Sequence, residues 1–144
     1  MSYQLKRINP FWHVHPLIPV AVAAGAALGA AAMVTQKTNL AIVGAVVAGL
    51  GVLAGARPVI SAVLLTLGLF GGAVTFLILP NPNTVGMSLA MRALSTVLFA
   101  GFYMVLMDAL VLVVAVLYNL FAGVLGLGGV MLEFEEAPEE GQEA

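Results

Sequence analysis

Asp108 is the residue of this sequence that is hardest to explain as ordinary packing. It is the single acid among the first 132 positions, and it lies inside the apolar run MVLMDALVLV. An acid at bilayer depth costs a few kcal/mol, so its carboxyl must face protein or water. One interpretation is a proton or cation site, with Thr66 or Thr75 as hydrogen-bond partners. The other is an interhelical hydrogen bond, or a salt bridge to a subunit outside this chain.

Asn119 is a second polar candidate within the same apolar stretch. Positions three or four apart lie on one side of a helix, which places Asp108, Leu112, Ala115 and Asn119 on a common face. This spacing predicts a helix face that accommodates polar groups and is directed towards the interior of the helical bundle.

Two histidines and two large aromatic residues flank the apolar runs. His13 and His15 form a His-x-His pair, but a metal site would need a cysteine or acidic partner nearby, and the sequence offers none there. Aromatic and imidazole rings favour the membrane–water interface. We therefore expect interfacial anchors rather than a metal site at Trp12, His13, His15 and Tyr118.

The known catalytic motifs are missing from the sequence. It contains no His-Glu-x-x-His, no P-loop, no Gly-x-Ser-x-Gly and no cysteine. Six of the seven acids are crowded into the last dozen positions, at Glu133, Glu135, Glu136, Glu139, Glu140 and Glu143. We expect the chain not to be an enzyme, and we expect no metal and no cofactor.

The composition indicates which solvent surrounds the elements that must position these residues. Of 144 residues, 62% are hydrophobic and 8% are charged, and the mean hydropathy is +1.10. A soluble domain usually carries about 25% charged residues. Lipid must therefore surround most of the chain, and five scattered basic residues form no face for nucleic acid.

Apolar runs separated by turn residues predict an all-α integral membrane protein, a bundle of about four transmembrane helices. A span needs roughly 20 apolar residues. The runs cover 17–35, 40–56, 59–79 and 95–117. The first is longer than the roughly 7–15 apolar residues of a signal peptide, so we expect a span there. Residues 1–16 form an amphipathic lead, 17–130 the membrane domain, and 131–144 an acidic, disordered tail.

The stretch from Thr84 to Gly129 lacks strong helix breakers, yet as one helix it would be nearly 70 Å long. We expect an interfacial helix at Val85–Leu94, then the fourth span, and then a short amphipathic segment at Tyr118–Val130, with Gly128-Gly129 ending the helix. The alternation after Val130 suits a short extended segment, which Trp12 and His13 could pack against. Five spans, divided near Asp108, are the alternative.

Pairs of glycines four residues apart recur on the first three spans. Such pairs let helix backbones approach closely, which matters because lipid gives helices no hydrophobic reason to associate. The pairs are Gly25 and Gly29, Gly51 and Gly55, and Gly68 and Gly72. We expect them to lie at helix–helix contacts and to offer surfaces for assembly.

Two functions from different classes follow from these features. The first is a non-catalytic structural or accessory subunit that forms a homo-oligomer or joins other membrane subunits. The second is a proton- or ion-linked transporter or channel component that uses Asp108. With four spans, Lys6, Arg7 and Arg57 would lie on one side of the membrane, and Lys37 and Arg92 on the other. The positive-inside rule then favours cytoplasmic termini by three residues to two.

Both ends of the chain resemble a family of small prokaryotic transmembrane proteins of unknown function. The resemblance rests on the opening Leu5-Lys6-Arg7-Ile8-Asn9-Pro10 and on a closing pattern in which Ala115–Ala122, with its Tyr-Asn-Leu, is followed by Gly128-Gly129-Val130 and Leu132-Glu133. The family implies a last helix that runs into a Gly-Gly and a short strand-like end. It implies no activity.

Overall fold

The structure is a computed structural model, which describes residues 2–5, 7–11, 15–126 and 131–133. Its elements are strand β1 (Ser2–Gln4), helices α1 (Leu17–Val34), α2 (Thr38–Gly55), α3 (Pro58–Gly72) and α4 (Leu89–Asn119), and strand β2 (Met131–Glu133). The helix α3 continues as a π-helix over Ala73–Ile78, and α4 continues likewise over Leu120–Val124. Four helical segments are long and apolar enough to cross a membrane, which confirms the all-α membrane fold.

The first three helices begin and end close to the predicted positions for identifiable reasons. Gln36 has a φ of 54°, a left-handed conformation that ends the first span in a tight turn. Ala56 is extended, and Pro58 occupies the first turn of α3, where its missing N–H and fixed φ are favourable.

The predicted interfacial helix at Val85–Leu94 is not a separate element. Turns occupy the chain before Ser88, whose hydroxyl accepts a hydrogen bond from the N–H of Met91 at 3.3 Å. Ser88 thereby caps α4, because a serine oxygen at this position satisfies an amide of the first turn. From Leu89 the helix runs without a break through Asp108 to Asn119, which excludes a fifth span divided at Asp108.

Arg92 holds the turn that precedes α4. Its Nε donates to the carbonyl of Thr84 at 3.2 Å, and its Nη2 donates to the carbonyl of Val85 at 2.8 Å. The guanidinium therefore fixes the connection between the third and fourth spans.

The end of the last helix also differs from the prediction. Gly126, with a φ of 63°, adopts the left-handed conformation after the π-helical turn, so the helix ends before Gly128-Gly129. Residues 127–130 lie outside the described residues. Met131–Glu133 is a strand rather than part of a disordered tail, and it pairs antiparallel with Ser2–Gln4. The extended segment was predicted there, but its partner strand was not; residues 134–144 also lie outside the described part.

The chain divides into two compact units. The terminal unit comprises Met1–Asn9 and Val114–Ala144, and the helical unit comprises Pro10–Val113. Within the helical unit few large side chains are buried, and many leucines, valines and phenylalanines are exposed. A water-soluble protein of this size would bury most of them, whereas lipid solvates them without cost.

Candidate functional site

The α1–α2 contact is made by backbone against backbone. A Cβ added to Gly25 would lie 2.6 Å from the backbone N of Ala48, and one added to Gly44 would overlap the backbone N of Gly29. Gly44 is the tightest of these positions, and the sequence analysis missed it. Its spacing of seven residues from Gly51 was the available signal, since seven residues are two helical turns.

The other predicted glycines also lie against a neighbouring helix. A Cβ on Gly51 would lie 2.7 Å from Val22 Cγ2, and one on Gly55 would lie 3.1 Å from Ile18 Cγ2. Between α3 and α4, a Cβ on Gly68 would lie 2.9 Å from Ala100 Cα.

The glycine surfaces are therefore occupied within the chain. Gly72 completes the α3–α4 contact, with a Cβ position 3.0 Å from the carbonyl oxygen of Thr96. Neighbouring helices of the same chain fill the grooves that these glycines leave. Their use as surfaces for assembly stays a prediction.

Asp108 lies in the contact between α3 and α4 and is 0% exposed. The hydroxyl of Ser61 donates to its Oδ2 at 2.6 Å. Its Oδ1 is buried and has no hydrogen-bond partner among the described residues. The described residues also hold no ion pair to this carboxyl, so Ser61 is its one hydrogen-bond partner there.

The predicted partners Thr66 and Thr75 do not reach Asp108. Each hydroxyl instead donates to the carbonyl four residues earlier in its own helix, to Ala62 at 2.9 Å and to Gly71 at 2.8 Å. This local bond is the usual outcome for threonine inside an apolar helix. Ser61 was missed because a single serine in an apolar span carries no further signal of its partner.

Asp108 lies near one end of the neighbouring helices α2 and α3 rather than near their middle. Ser61 belongs to the first turn of α3. On the other side, the α2 residue Gly55 lies opposite Leu112, with a Cβ position 3.8 Å from Leu112 Cδ1. The carboxyl is therefore about one helical turn, roughly 6 Å, from the ends of both helices.

The N-terminal lead crosses the connection at this end of α2 and α3. The N–H of Arg57 donates to the carbonyl of Pro10 at 3.1 Å, and its Nε donates to the carbonyl of Phe11 at 3.4 Å. Phe11 also forms an isolated antiparallel bridge with Ala56, which is 2% exposed. We refer to Pro10 and Phe11 as the strap.

In the terminal unit, Asn119 binds the backbone of the lead. Its Nδ2 donates to the carbonyl of Ile8 at 2.8 Å, and its Oδ1 accepts from the N–H of Ile8 at 2.8 Å. The side-chain amide thus pairs with Ile8 as a neighbouring strand would. The hydroxyl of Tyr118 donates to the carbonyl of Leu5.

These contacts bring the two ends of the chain together. Residues 2–5 and Ile8 contact residues 118, 119 and 131–133, so the two ends of the chain meet within the terminal unit.

Of the predicted anchors, His15 and Tyr118 are described, whereas Trp12 and His13 lie outside the described residues. His15 is exposed, and its Nδ1 accepts from the N–H of Leu17 at 3.3 Å at the start of α1. The described residues contain no group of three or more histidine, cysteine or acidic side chains that could hold a metal ion.

Compared with models of known protein families, with curated proteins and with solved structures, the chain shows no match. The family resemblance at its two ends stays a prediction. Its residues nevertheless meet in the fold, since Leu5 and Ile8 bind Tyr118 and Asn119.

Proposed function

We propose that this membrane protein is a non-catalytic structural or accessory subunit, acting as a homo-oligomer or within a larger membrane assembly. The observation that carries the proposal is the length of the last apolar helix, which covers Leu89–Val124. These 36 residues extend about 50 Å, against about 30 Å of hydrocarbon. To fit within the hydrocarbon by tilting alone, the helix would need an angle of roughly 50° to the bilayer normal, beyond the usual range of about 0–40°.

Part of this helix therefore has a neighbour other than the lipid core. Its C-terminal portion exposes large aliphatic side chains, at Val113, Val116, Leu117, Leu120 and Val124. Because the glycine grooves are filled, we infer that contact with another chain uses these side chains.

Crosslinking tests the proposal in membranes. The sequence has no cysteine, so a single cysteine introduced by Val116→Cys or Val124→Cys reports only on the surroundings of that position. We expect crosslinks to a second copy or to another protein, together with a complex larger than the monomer in native mass spectrometry from nanodiscs. Val20 on α1 and Val63 on α3, both exposed, are the matched control positions. A monomer without crosslinks at Val116 or Val124 would contradict the proposal.

We further propose a prokaryotic cell membrane with both termini in the cytoplasm. Along the sequence, Lys6, Arg7 and Arg57 precede the first and third spans, whereas Lys37 and Arg92 lie before or at the start of the second and fourth. The positive-inside rule favours this orientation by three residues to two.

A proton- or ion-linked function at Asp108 is the second candidate, and the unpartnered Oδ1 favours it. Asp108→Asn separates the two candidates. An altered ion flux with normal assembly supports the second, whereas a loss of partners supports the first.

A further inference from the structure

Tyr103 presents a hydroxyl for which the described residues provide no hydrogen-bond partner. Its ring is fixed, because it stacks on Phe99 with centroids 6.2 Å apart and its Cδ1 lies 3.1 Å from a Cβ position on Gly68. The side chain is half-buried, and the one buried, unpartnered side-chain oxygen among the described residues is Asp108 Oδ1. The Tyr103 hydroxyl, which also lacks a partner there, is therefore accessible at the surface of the helical unit.

Three other hydroxyls of the third and fourth spans are satisfied within their own helix. Thr66, Thr75 and Thr96 each donate to the carbonyl four residues earlier, at 2.9, 2.8 and 3.0 Å. A short threonine side chain can form this local bond, whereas the ring of Tyr103 holds its hydroxyl away from the backbone of α4. A partner for Tyr103 must therefore come from another molecule.

The depth of Tyr103 limits what this partner can be. Its ring contacts Gly68, the middle residue of the span Pro58–Ile78, about 15 Å from each end of that span. From there a tyrosine side chain does not reach the headgroups, where tyrosines usually find a hydrogen-bond partner. Lipid tails offer no acceptor, and an unsatisfied hydroxyl in hydrocarbon is unfavourable. The partner must therefore carry a polar group into the middle of the membrane.

Tyr103 belongs to a row of large side chains on α4 that has coiled-coil spacing. The row follows alternating intervals of four and three residues, and its members other than Tyr103 are exposed. It consists of Phe99, Tyr103, Leu106, Leu110 and Val113, all within the helical unit. This spacing keeps a row of side chains against a neighbouring helix along a shallow left-handed crossing, the commonest packing of membrane helices. We refer to these five residues as the seam.

We propose that the seam is the contact surface for a second copy of this chain, in which the two Tyr103 hydroxyls bind each other across a two-fold axis along the membrane normal. Copies of one chain insert in the same orientation, so a second copy brings its own Tyr103 to the depth of the first. A phenol hydroxyl both donates and accepts, so this residue can serve as its own hydrogen-bond partner. The inference rests on the proposed assembly, and it names the partner and the contact.

Disulfide formation of the full chain in membranes tests the seam with Tyr103 intact. Since the chain has no cysteine, Leu106→Cys and Leu110→Cys each place a single thiol on the seam. At a two-fold contact each thiol meets its own counterpart, so we expect both variants to form disulfide-linked dimers with a membrane-permeant oxidant. Leu98→Cys, exposed on α4 but outside the seam, is the matched control and should remain monomeric. Equal crosslinking at Leu98 would overturn the seam.

Tyr103→Phe then tests the hydroxyl alone, because this variant keeps the ring and its stacking on Phe99. Energy transfer between labelled copies in vesicles, measured as the protein is diluted with lipid, gives the association constant of the dimer. We expect this constant to fall about 3- to 30-fold, the range for one hydrogen bond between membrane helices. Thr66→Val, which removes a hydroxyl already bonded within α3, is the control and should leave the constant unchanged.

An association constant unaltered by Tyr103→Phe would overturn the proposal. An equal loss in Thr66→Val would also overturn it, since the contact would then be head-to-tail, and so would crosslinks from the seam to a different protein. A complex that crosslinks at Val116→Cys or Val124→Cys without any crosslink at the seam would refute the seam and leave the proposed assembly intact. A monomer at every position would refute both.

Discussion

The interactions that stabilise the helical unit differ from those that stabilise the terminal unit. In Pro10–Val113 the helices meet through glycines, with backbone against backbone and few side-chain hydrogen bonds from one helix to another. In the terminal unit, polar side chains at the end of α4 bind the backbone of the lead, and two short strands pair. Lipid favours a close fit between helices, whereas directional hydrogen bonds hold a segment that has few apolar contacts of its own.

Adding one methyl group to the helical unit should have the largest effect. In Gly44→Ala the new Cβ would overlap the backbone of Gly29, which has no side chain to move aside. We expect a loss of about 2–3 kcal/mol or more in the free energy of unfolding, as for overpacked cores. Unfolding in mild detergent measures it.

Gly101→Ala is the matched control, because a Cβ there meets no described atom within 4 Å. Equal destabilisation by the two variants would mean that the observed helix contacts are not the ones that hold the unit together.

Removing the Ser61 hydroxyl, the hydrogen-bond partner of Asp108 among the described residues, should have the second-largest effect on stability. Ser61→Ala leaves both carboxyl oxygens buried without the Ser61 hydroxyl, and we expect a loss of about 1–3 kcal/mol. In the double variant Ser61→Ala/Asp108→Leu, which also removes the carboxyl, much of this loss should be recovered. Additive effects in the double-mutant cycle would show that the two side chains do not interact.

Disrupting the terminal unit should have a smaller and local effect. Asn119→Ala removes both hydrogen bonds to Ile8, so trypsin should cleave the lead at Lys6 or Arg7 faster while the helices unfold as before. Asn39→Ala, at an exposed asparagine near the start of α2, is the control. A global loss of stability in Asn119→Ala would remove the distinction between the two units.

The smallest effect is expected at the strap. Arg57→Lys keeps the positive charge and loses the Nε donor to Phe11, an exposed bond at 3.4 Å. The main-chain bond to Pro10 remains, so we expect a change below about 1 kcal/mol. Hydrogen exchange at Phe11 and Arg57 should increase slightly; protection that disappears completely would contradict this.

The sequence predicted the spans because their signals are local. Apolar length, Arg57-Pro58 and the turn at Pro80–Asn83 each act within a few residues, and the first three helices follow them. The start of α4 was misplaced although its signal is also local, since the cap at Ser88 outweighs the apolar pattern that precedes it.

The partners of the polar residues were not predictable from the sequence, because they depend on how helices face each other. Ser61 and Asp108 are 47 positions apart, and the register between α3 and α4 brings them together. Asn119 was expected to share an inward face with Asp108, and its binding to Ile8 depends on a lead 111 positions away. Local periodicity holds no information about either pairing.

The arrangement of four crossings with both ends on one side is tested most directly by single-cysteine labelling. Since the natural chain has no cysteine, an impermeant maleimide applied to one side of the membrane reports one position at a time. Cysteines at Asn9 and Pro58 should react from one side, and those at Asn39 and Asn83 should react from the other. Labelling of positions 39 and 58 from the same side would contradict the account.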